Sequence, residues 1–270
     1  MPVHKDPSGQ RYVQAEAEVP GTPEDVWRAI ATGPGISSWF VPTDLEERTG
    51  GSIVLHFGPG MDSTARITEW DPPRRFTAEG SDMGPGSPTV ATEWIVEARA
   101  GGTCLVRVVH RWFADTDDWD NQFEGTTHGW IAFFRLLRLT LLHFRNQRCT
   151  PVQLMAFAPE PKAEAWAALT GPLGLAGVAV GDRVRSGDDA PRLAGVVERA
   201  GQPEWPEDLI IRLEQPAPGL VHLTAHTMGG QVVLPIRFFL YGDEAPAIAA
   251  RTESEWQAWI VALFPAPKPG

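Results

Sequence analysis

Alternating apolar and polar positions in the first half of the chain predict a series of β-strands. The pattern starts at residues 11–19 (RYVQAEAEV) and returns between residues 43 and 113, in short segments separated by turns that contain Gly and Pro. We expect the later strands at 43–48, 52–58, 63–71, 74–80, 89–99 and 102–113. Because strands joined by short turns pair with their neighbours in opposite directions, the pattern predicts an antiparallel sheet.

A helical pattern follows the first of these strands. Thr22 is a favourable N-cap and Pro23 suits the first helical position, and apolar residues recur at helical spacing around Trp27. The Gly-Pro-Gly sequence at 33–35 ends this helix. A further short helical turn is expected at 36–40.

A longer helix is predicted over residues 118–146. Its apolar side is a continuous stripe with residues three or four positions apart: Phe123, Thr127, Trp130, Phe134, Leu137, Leu141 and Phe144. Such a helix can bury this stripe by lying across the concave face of a curved antiparallel sheet. The gap that remains between the helix and the sheet is where we expect a ligand.

The second half of the chain repeats this order in a shortened form. EDVWRAIATGPGI at 24–36 aligns with AEAWAALTGPLGL at 163–175. A strand is expected before the second of these helices, at 150–159, and an amphipathic helix near the end, at 246–264. Further strands are expected at 193–200, 207–215, 219–227 and 231–241. The two predicted domains are residues 11–147 and 150–264.

The composition of the chain argues against some classes of binding partner. The chain carries a net charge of −11 and has no basic tail, which argues against nucleic acid and anionic membranes as partners. Its two cysteines and the lack of a CxxC motif predict no disulfide framework. The N-terminus shows no signal peptide, and no segment is long and apolar enough for membrane insertion. We therefore expect a soluble, cytoplasmic protein.

Three segments of the first half resemble the START-like / Bet v 1-like (SRPBCC) superfamily, especially its branch of activator of Hsp90 ATPase homologues. They are VPGTPEDVWRAIATGPGISSWFVP (19–42), ITEWDPPRRFTAEG (67–80) and HGWIAFFRLLRLTLL (128–142). The resemblance implies an α+β helix-grip fold, in which a curved antiparallel sheet wraps around a long C-terminal helix and encloses a deep apolar cavity. The second half resembles a degenerate copy, so the fold is expected twice.

Aromatic residues are the main candidates for the lining of the cavity. Eleven Trp residues against two Tyr supply large apolar side chains, which suits a wide interior. In strand 102–113, His110 shares a face with Val106, Val108 and Trp112, so it could be a polar or acid–base group in the cavity. Alternatively, these residues only fill the core. The candidate lining residues are Trp39, Phe40, Trp94, His110, Trp112, Phe123, Trp130 and Phe134.

Other polar residues in predicted strands have two possible orientations. His56 could face the cavity and act as an acid or base. Arg66, Arg107 and Arg111 would hold a ligand's carboxylate or carbonyl if they pointed inward, and would be solvated if they pointed outward. The alternation of residues along these strands is compatible with both orientations of the side chains.

Neither a metal site nor a cofactor is predicted. His222 and His226 would be about 13 Å apart in a strand, too far to share one metal ion. The acidic run ADTDDWD at 114–120 lacks the Gly and the Glu that a calcium-binding loop needs.

Three functions are compatible with these features. The first is non-catalytic binding of a small apolar ligand, oriented by His110 and an arginine. The second is a polyketide aromatase/cyclase and the third an Hsp90 cochaperone-like interaction module, both suggested by the resemblance. The lack of a recognisable acid–base cluster, nucleophile motif or phosphate-binding loop favours binding over catalysis. A homodimer or another protein partner stays open.

Overall fold

The computed structural model describes residues 3–5, 11–80, 88–112 and 120–265. For residues 120–128 it describes the backbone alone. The chain divides into two units, Met1–Asn146 and Gln147–Gly270, and each unit has its own antiparallel sheet.

The elements of the N-terminal unit follow the predicted order of a strand, a helix pair, six strands and a long helix. They are β1 (His4–Lys5), β2 (Arg11–Pro20), α1 (Pro23–Ile30), α2 (Gly33–Ile36), β3 (Thr43–Leu45), β4 (Ser52–His56), β5 (Asp62–Asp71), β6 (Arg75–Gly80), β7 (Val90–Arg99), β8 (Thr103–Trp112) and α3 (Asp120–His143). The described strands form a sheet in the order β1-β2-β8-β7-β6-β5-β4-β3, with neighbouring strands antiparallel. The first long strand, β2, therefore pairs with the last strand, β8.

The helix pair α1–α2 is built from local signals that the sequence predicts. The N–H of Asp25 donates to Oγ1 of Thr22 (3.2 Å), and the N–H of Thr22 donates to Oδ2 of Asp25 (3.3 Å), which caps the first turn of α1. Gly35 lets the two helices meet closely, because a Cβ at this position would lie 1.9 Å from the carbonyl oxygen of Arg28. This close approach turns the chain so that residues 37–40 enter the core.

Helix α3 keeps the predicted apolar stripe over its described side chains. Its buried residues at these positions are Trp130, Phe134, Leu137 and Leu141, and the buried Phe144 follows directly after its last residue. Phe134 contacts Trp94 of β7 edge to face, with ring centroids 6.3 Å apart. The sheet therefore wraps around its C-terminal helix, which confirms the helix-grip fold.

The C-terminal unit has a second sheet and two helices. Its elements are β9 (Cys149–Ala158), α4 (Lys162–Thr170), β10 (Arg183–Arg185), β11 (Ala194–Arg199), β12 (Asp208–Gln215), β13 (Gly219–Thr224), β14 (His226–Met228), β15 (Gln231–Tyr241) and α5 (Ala245–Leu263). The described strands run in the order β10-β11-β12-β13-β15-β14, and β9 also pairs with β15. The single strand expected at 219–227 is two short strands, β13 and β14, and β10 was not predicted.

Helices α4 and α5 pack on one face of this second sheet. The indole of Trp256 in α5 contacts Phe238 of β15 edge to face, with centroids 4.9 Å apart, and Leu169 of α4 joins the same core. The order of a strand, a helix, a sheet and a final helix repeats that of the N-terminal unit, so the helix-grip fold occurs twice. Within the described residues, no helix is both long enough and apolar enough to span a bilayer.

Candidate functional site

A cavity of about 670 Å³ lies in the N-terminal unit, between the inner face of the sheet and α3. Strands β4 to β8 contribute inward-facing side chains to its wall, such as Leu55 of β4 and Ala78 of β6. Phe40 and the α3 residues Trp130 and Phe133 form the opposite side. The volume is in the range typical of small-molecule sites in proteins.

Aromatic rings in contact with one another form the α3 side of the cavity. Phe40 stacks on Trp130 with centroids 5.4 Å apart and meets Phe133 edge to face at 4.5 Å. Trp94 of β7 meets Trp130 edge to face at 5.2 Å. These contacts fix the ring planes, so the cavity presents preformed apolar faces rather than mobile side chains.

His110 is the polar centre of the wall. It lies on β8 directly opposite Thr92 of β7, and its Nδ1 is 2.9 Å from Oγ1 of Thr92. The indole Nε1–H of Trp130 donates to Nε2 of His110 across 3.0 Å. Burial lowers the pKa of His110 to about 4, so the imidazole is neutral at physiological pH.

The structure places the predicted lining residues in three groups. Phe40, Trp94, His110 and Trp130 line the cavity. Trp39, Trp112 and Phe134 are buried but are not among the described lining residues. The side chain of Phe123 lies outside the described residues.

Trp39 and Trp112 each make packing contacts that account for their burial. The indole N–H of Trp39 donates to the carbonyl oxygen of Ala29 (2.9 Å), and its ring stacks on Phe40 at 5.6 Å. Trp112 packs with Val13 in a small cluster at the end of β8. The sequence predicts both residues as part of the lining, and the structure shows them in these packing contacts.

Thr92 and Phe133 are among the lining residues that the sequence analysis did not predict. Thr92 and Trp94 are two residues apart in β7, so their side chains lie on the same face of the sheet. Strand alternation could therefore have identified Thr92 as inward-facing. Phe133 lies one position before Phe134 on α3, beside the predicted stripe, and it reaches the cavity because it contacts Phe40.

The candidate arginines all point away from the cavity. Arg107 forms an ion pair with Glu16 (2.9 Å), and Arg111 pairs with Glu93 on the outer face of the sheet. Arg66 is exposed. The expectation that an arginine orients the ligand is therefore corrected for these three residues.

His56 also faces away from the cavity. Its Nδ1 lies 3.0 Å from Asp62 and its Nε2 lies 3.2 Å from Asp44, so it links β3, β4 and β5. Hydrogen bonds to Asp62 and Asp44 raise the pKa of His56 above its usual value. This arrangement is a surface clamp rather than an acid or base within the cavity.

A second polar cluster lies in the sheet of the C-terminal unit. His222 of β13 is buried, and its Nε2 lies 3.1 Å from Oδ1 of Asp208 on β12. Arg199 of β11 holds the other carboxylate oxygen of Asp208 at 2.5 Å. Burial alone would raise the pKa of Asp208, but its bond with His222 and the nearby charges outweigh burial, so that pKa is lowered.

No arrangement for a metal ion is present among the described residues. His222 is in β13 and His226 is in β14, on two separate short strands. The acidic run at 114–120 lies almost wholly outside the described residues.

Most of the N-terminal unit is similar to a known protein family. Residues 10–135 match the family described as polyketide cyclase / dehydrase and lipid transport. No curated protein matches the chain.

Several solved structures are similar to the chain. DynU16, described as a putative protein of the dynemicin biosynthetic locus, is 16% identical with a TM-score of 0.44, over 93% of this chain and 97% of its own. BexL, a di-domain ARO/CYC of the BE-7585A pathway, is 14% identical with a TM-score of 0.47, over 96% and 100%. CalU16 from Micromonospora echinospora is 20% identical with a TM-score of 0.42, over 52% and 82%.

The matched segment spans β2 to the middle of α3, the elements that enclose the cavity. Its sheet order and its long helix are those of the helix-grip fold. The N-terminal unit therefore has the fold of the START-like / Bet v 1-like (SRPBCC) superfamily.

Proposed function

We propose that the N-terminal unit, residues 11–147, binds a small apolar molecule in the cavity between its sheet and α3. The main support is the cavity of about 670 Å³ with a wall of carbon-rich side chains. Aromatic faces of Phe40, Trp94 and Trp130 offer stacking surfaces for a planar ligand. The second domain, residues 150–264, would then be a copy of the fold whose helix α5 packs directly on its sheet.

Burial of the ligand supplies the affinity. Removing about 250 Å² of apolar ligand surface from water contributes about 6 kcal/mol before the entropic cost of association. Edge-to-face or stacked contacts with the rings add to this value. We expect dissociation constants of about 1–100 µM for ligands with two or three fused rings.

A pair of substitutions tests the location of binding. Ala65 lines the cavity from β5, whereas Ala91 lies on the outer face of β7, opposite Arg111. Ala65→Phe should fill the cavity and weaken binding of 2-acetylnaphthalene at least tenfold, and Ala91→Phe should leave it unchanged. Native mass spectrometry and tryptophan fluorescence would measure both. Equal binding to wild type and Ala65→Phe would show that the cavity is not the site.

The family description supports a second candidate, a polyketide cyclase or dehydrase. Such chemistry needs a group that takes a proton from a carbon acid. His110 is the titratable group closest to this role in the described wall, but both of its ring nitrogens are already hydrogen-bonded. Mass spectrometry of a poly-β-ketone thioester incubated with the protein would test this candidate. Loss of water that requires His110 would favour catalysis over binding alone.

A further inference from the structure

The hydrogen bond from Trp130 fixes the tautomer of His110. An indole N–H can only donate, so the ring nitrogen that faces it, Nε2 of His110, must carry no hydrogen. The single hydrogen of the neutral imidazole is then on Nδ1. This hydrogen points along the 2.9 Å contact to Oγ1 of Thr92.

The same argument determines the role of Thr92. Its oxygen accepts the hydrogen of His110, so its own hydroxyl hydrogen is free to donate elsewhere. Among the described residues, Thr92 makes no side-chain hydrogen bond other than the one to His110. Thr92 lines the cavity. Each group therefore donates a hydrogen bond to the next: Trp130 donates to His110, and His110 donates to Thr92. This series ends with the O–H of Thr92 at the cavity.

The charges around the cavity limit which hydrogen-bond acceptor of a ligand can bind to the hydroxyl of Thr92. The described lining residues include no Lys or Arg, and the one carboxylate among them, that of Asp62, is already paired with His56. His110 supplies no positive charge while its Nε2 accepts from Trp130. A ligand carboxylate would therefore be buried without a cation, which is unfavourable. An uncharged acceptor such as a ketone oxygen avoids this penalty.

We propose that the Trp130–His110–Thr92 series selects uncharged aromatic ligands that present a carbonyl oxygen to the hydroxyl of Thr92. This inference rests on the proposed function of the same cavity and adds the polarity of the ligand. Thr92 is the contact residue, and His110 and Trp130 are positioning residues that orient its hydroxyl.

Two probes of nearly equal shape distinguish the contribution of the carbonyl group to binding from that of the rest of the ligand. 2-Acetylnaphthalene carries a C=O where 2-isopropenylnaphthalene carries a C=CH2. Thr92→Val removes the hydroxyl with little change of shape, and Thr92→Ser keeps a hydroxyl as the matched control. Titrations of the full chain, followed by tryptophan fluorescence and calorimetry, give the dissociation constant of each probe.

The series predicts a specific pattern of affinities. Thr92→Val should weaken binding of the ketone about fivefold to tenfold, the effect of one neutral hydrogen bond, and should not weaken binding of the alkene. Thr92→Ser should retain the preference of wild type. 2-Naphthoate should bind more weakly than the ketone. If Thr92→Val changes both probes equally, or neither, the inference is wrong while the cavity still binds apolar ligands. If neither probe binds to wild type, the proposed function fails, and the inference fails with it.

A spectroscopic measurement tests the series without a ligand. Long-range ¹H–¹⁵N spectra should show His110 as the Nδ1–H tautomer in wild type. Trp130→Phe keeps an aromatic ring but removes the donor, so the population of this tautomer should fall. An Nε2–H tautomer or an imidazolium at pH 7 in wild type would overturn the inference.

Discussion

Trp130 and His110 both line the cavity and contact each other directly, because the indole N–H of Trp130 donates to Nε2 of His110 over 3.0 Å. The bond joins α3 to β8, the last strand before it. It also satisfies two polar groups in an apolar surrounding, where an unpaired group would be unfavourable. The contact between Trp130 and His110 therefore also sets the tautomer of the neutral His110 imidazole.

The first prediction concerns the pH dependence of stability. An unfolded chain takes up a proton at His110 near pH 6.5, whereas the folded chain does so at about pH 4. Between these values the unfolded state binds more protons, so the free energy of unfolding should fall as the pH falls. The contribution of His110 should reach about 3 kcal/mol at the acid end.

Urea unfolding at several pH values checks this expectation. His110→Gln is the matched variant, because its amide can accept from Trp130 and donate to Thr92 without titrating. The variant should lose less stability than wild type between pH 6.5 and pH 4. Parallel curves for the two proteins would contradict the neutral, buried state of His110.

The second prediction concerns Trp39, which supports the cavity wall without lining it. Trp39→Phe removes the buried bond to the carbonyl oxygen of Ala29 and leaves a small void. The free energy of unfolding should fall by about 1–3 kcal/mol, while the affinity for 2-acetylnaphthalene stays within about twofold of wild type. Trp205→Phe, at a side chain that is 40% exposed, is the control and should change stability by less than about 0.5 kcal/mol. A large loss of affinity in Trp39→Phe would place this residue in the binding site.

The third prediction concerns the clamp of His56 between Asp44 and Asp62. Hydrogen bonds to these carboxylates raise the pKa of His56, so the protonated form is favoured in the folded state. The stabilisation should be complete below the ordinary pKa and should disappear as the pH rises through the folded pKa. NMR titration of His56 should show a pKa above that of a free histidine, and Asp44→Asn should lower it. A pKa at or below the ordinary value would show that the clamp does not form.

Strand alternation allowed much of the N-terminal unit to be predicted, including the inward position of His110. The limit of such patterns is visible at Trp39 and Phe40, two adjacent aromatic residues between α2 and β3 that are both buried. Periodicity identifies which side chains face the interior, but it does not separate the surface of a cavity from the layer behind it. That distinction depends on which ring has another partner, such as the carbonyl of Ala29 for Trp39.

The direction in which the polar side chains point was harder to predict from the sequence than the positions of the strands. Arg107 and Arg111 alternate with buried residues, and their outward direction becomes evident only from the neighbouring strands, which carry Glu16 and Glu93. Strand alternation indicates only that Thr92 faces inward, and its proposed role depends on its cross-strand partner His110. Such pairings depend on strand register, which the alternation pattern alone does not fix.

The fourth prediction concerns the polar cluster of the C-terminal unit. Asp208 is buried and holds both Arg199 and His222, so Asp208→Asn should leave the partly buried Arg199 without its carboxylate. The free energy of unfolding should fall by about 3–5 kcal/mol, as expected for removal of one partner from a buried ion pair. The control is Glu214→Gln, because the pair of Glu214 and Arg183 is exposed and should contribute less than about 1 kcal/mol.

Urea unfolding measures both changes, and hydrogen exchange of the β12 amides assigns them to this unit. In Asp208→Asn, His222 also loses an acceptor that favours its protonated form, so burial should lower the pKa of His222 further. A loss of stability no larger than that of Glu214→Gln would show that the cluster is solvated rather than part of the core.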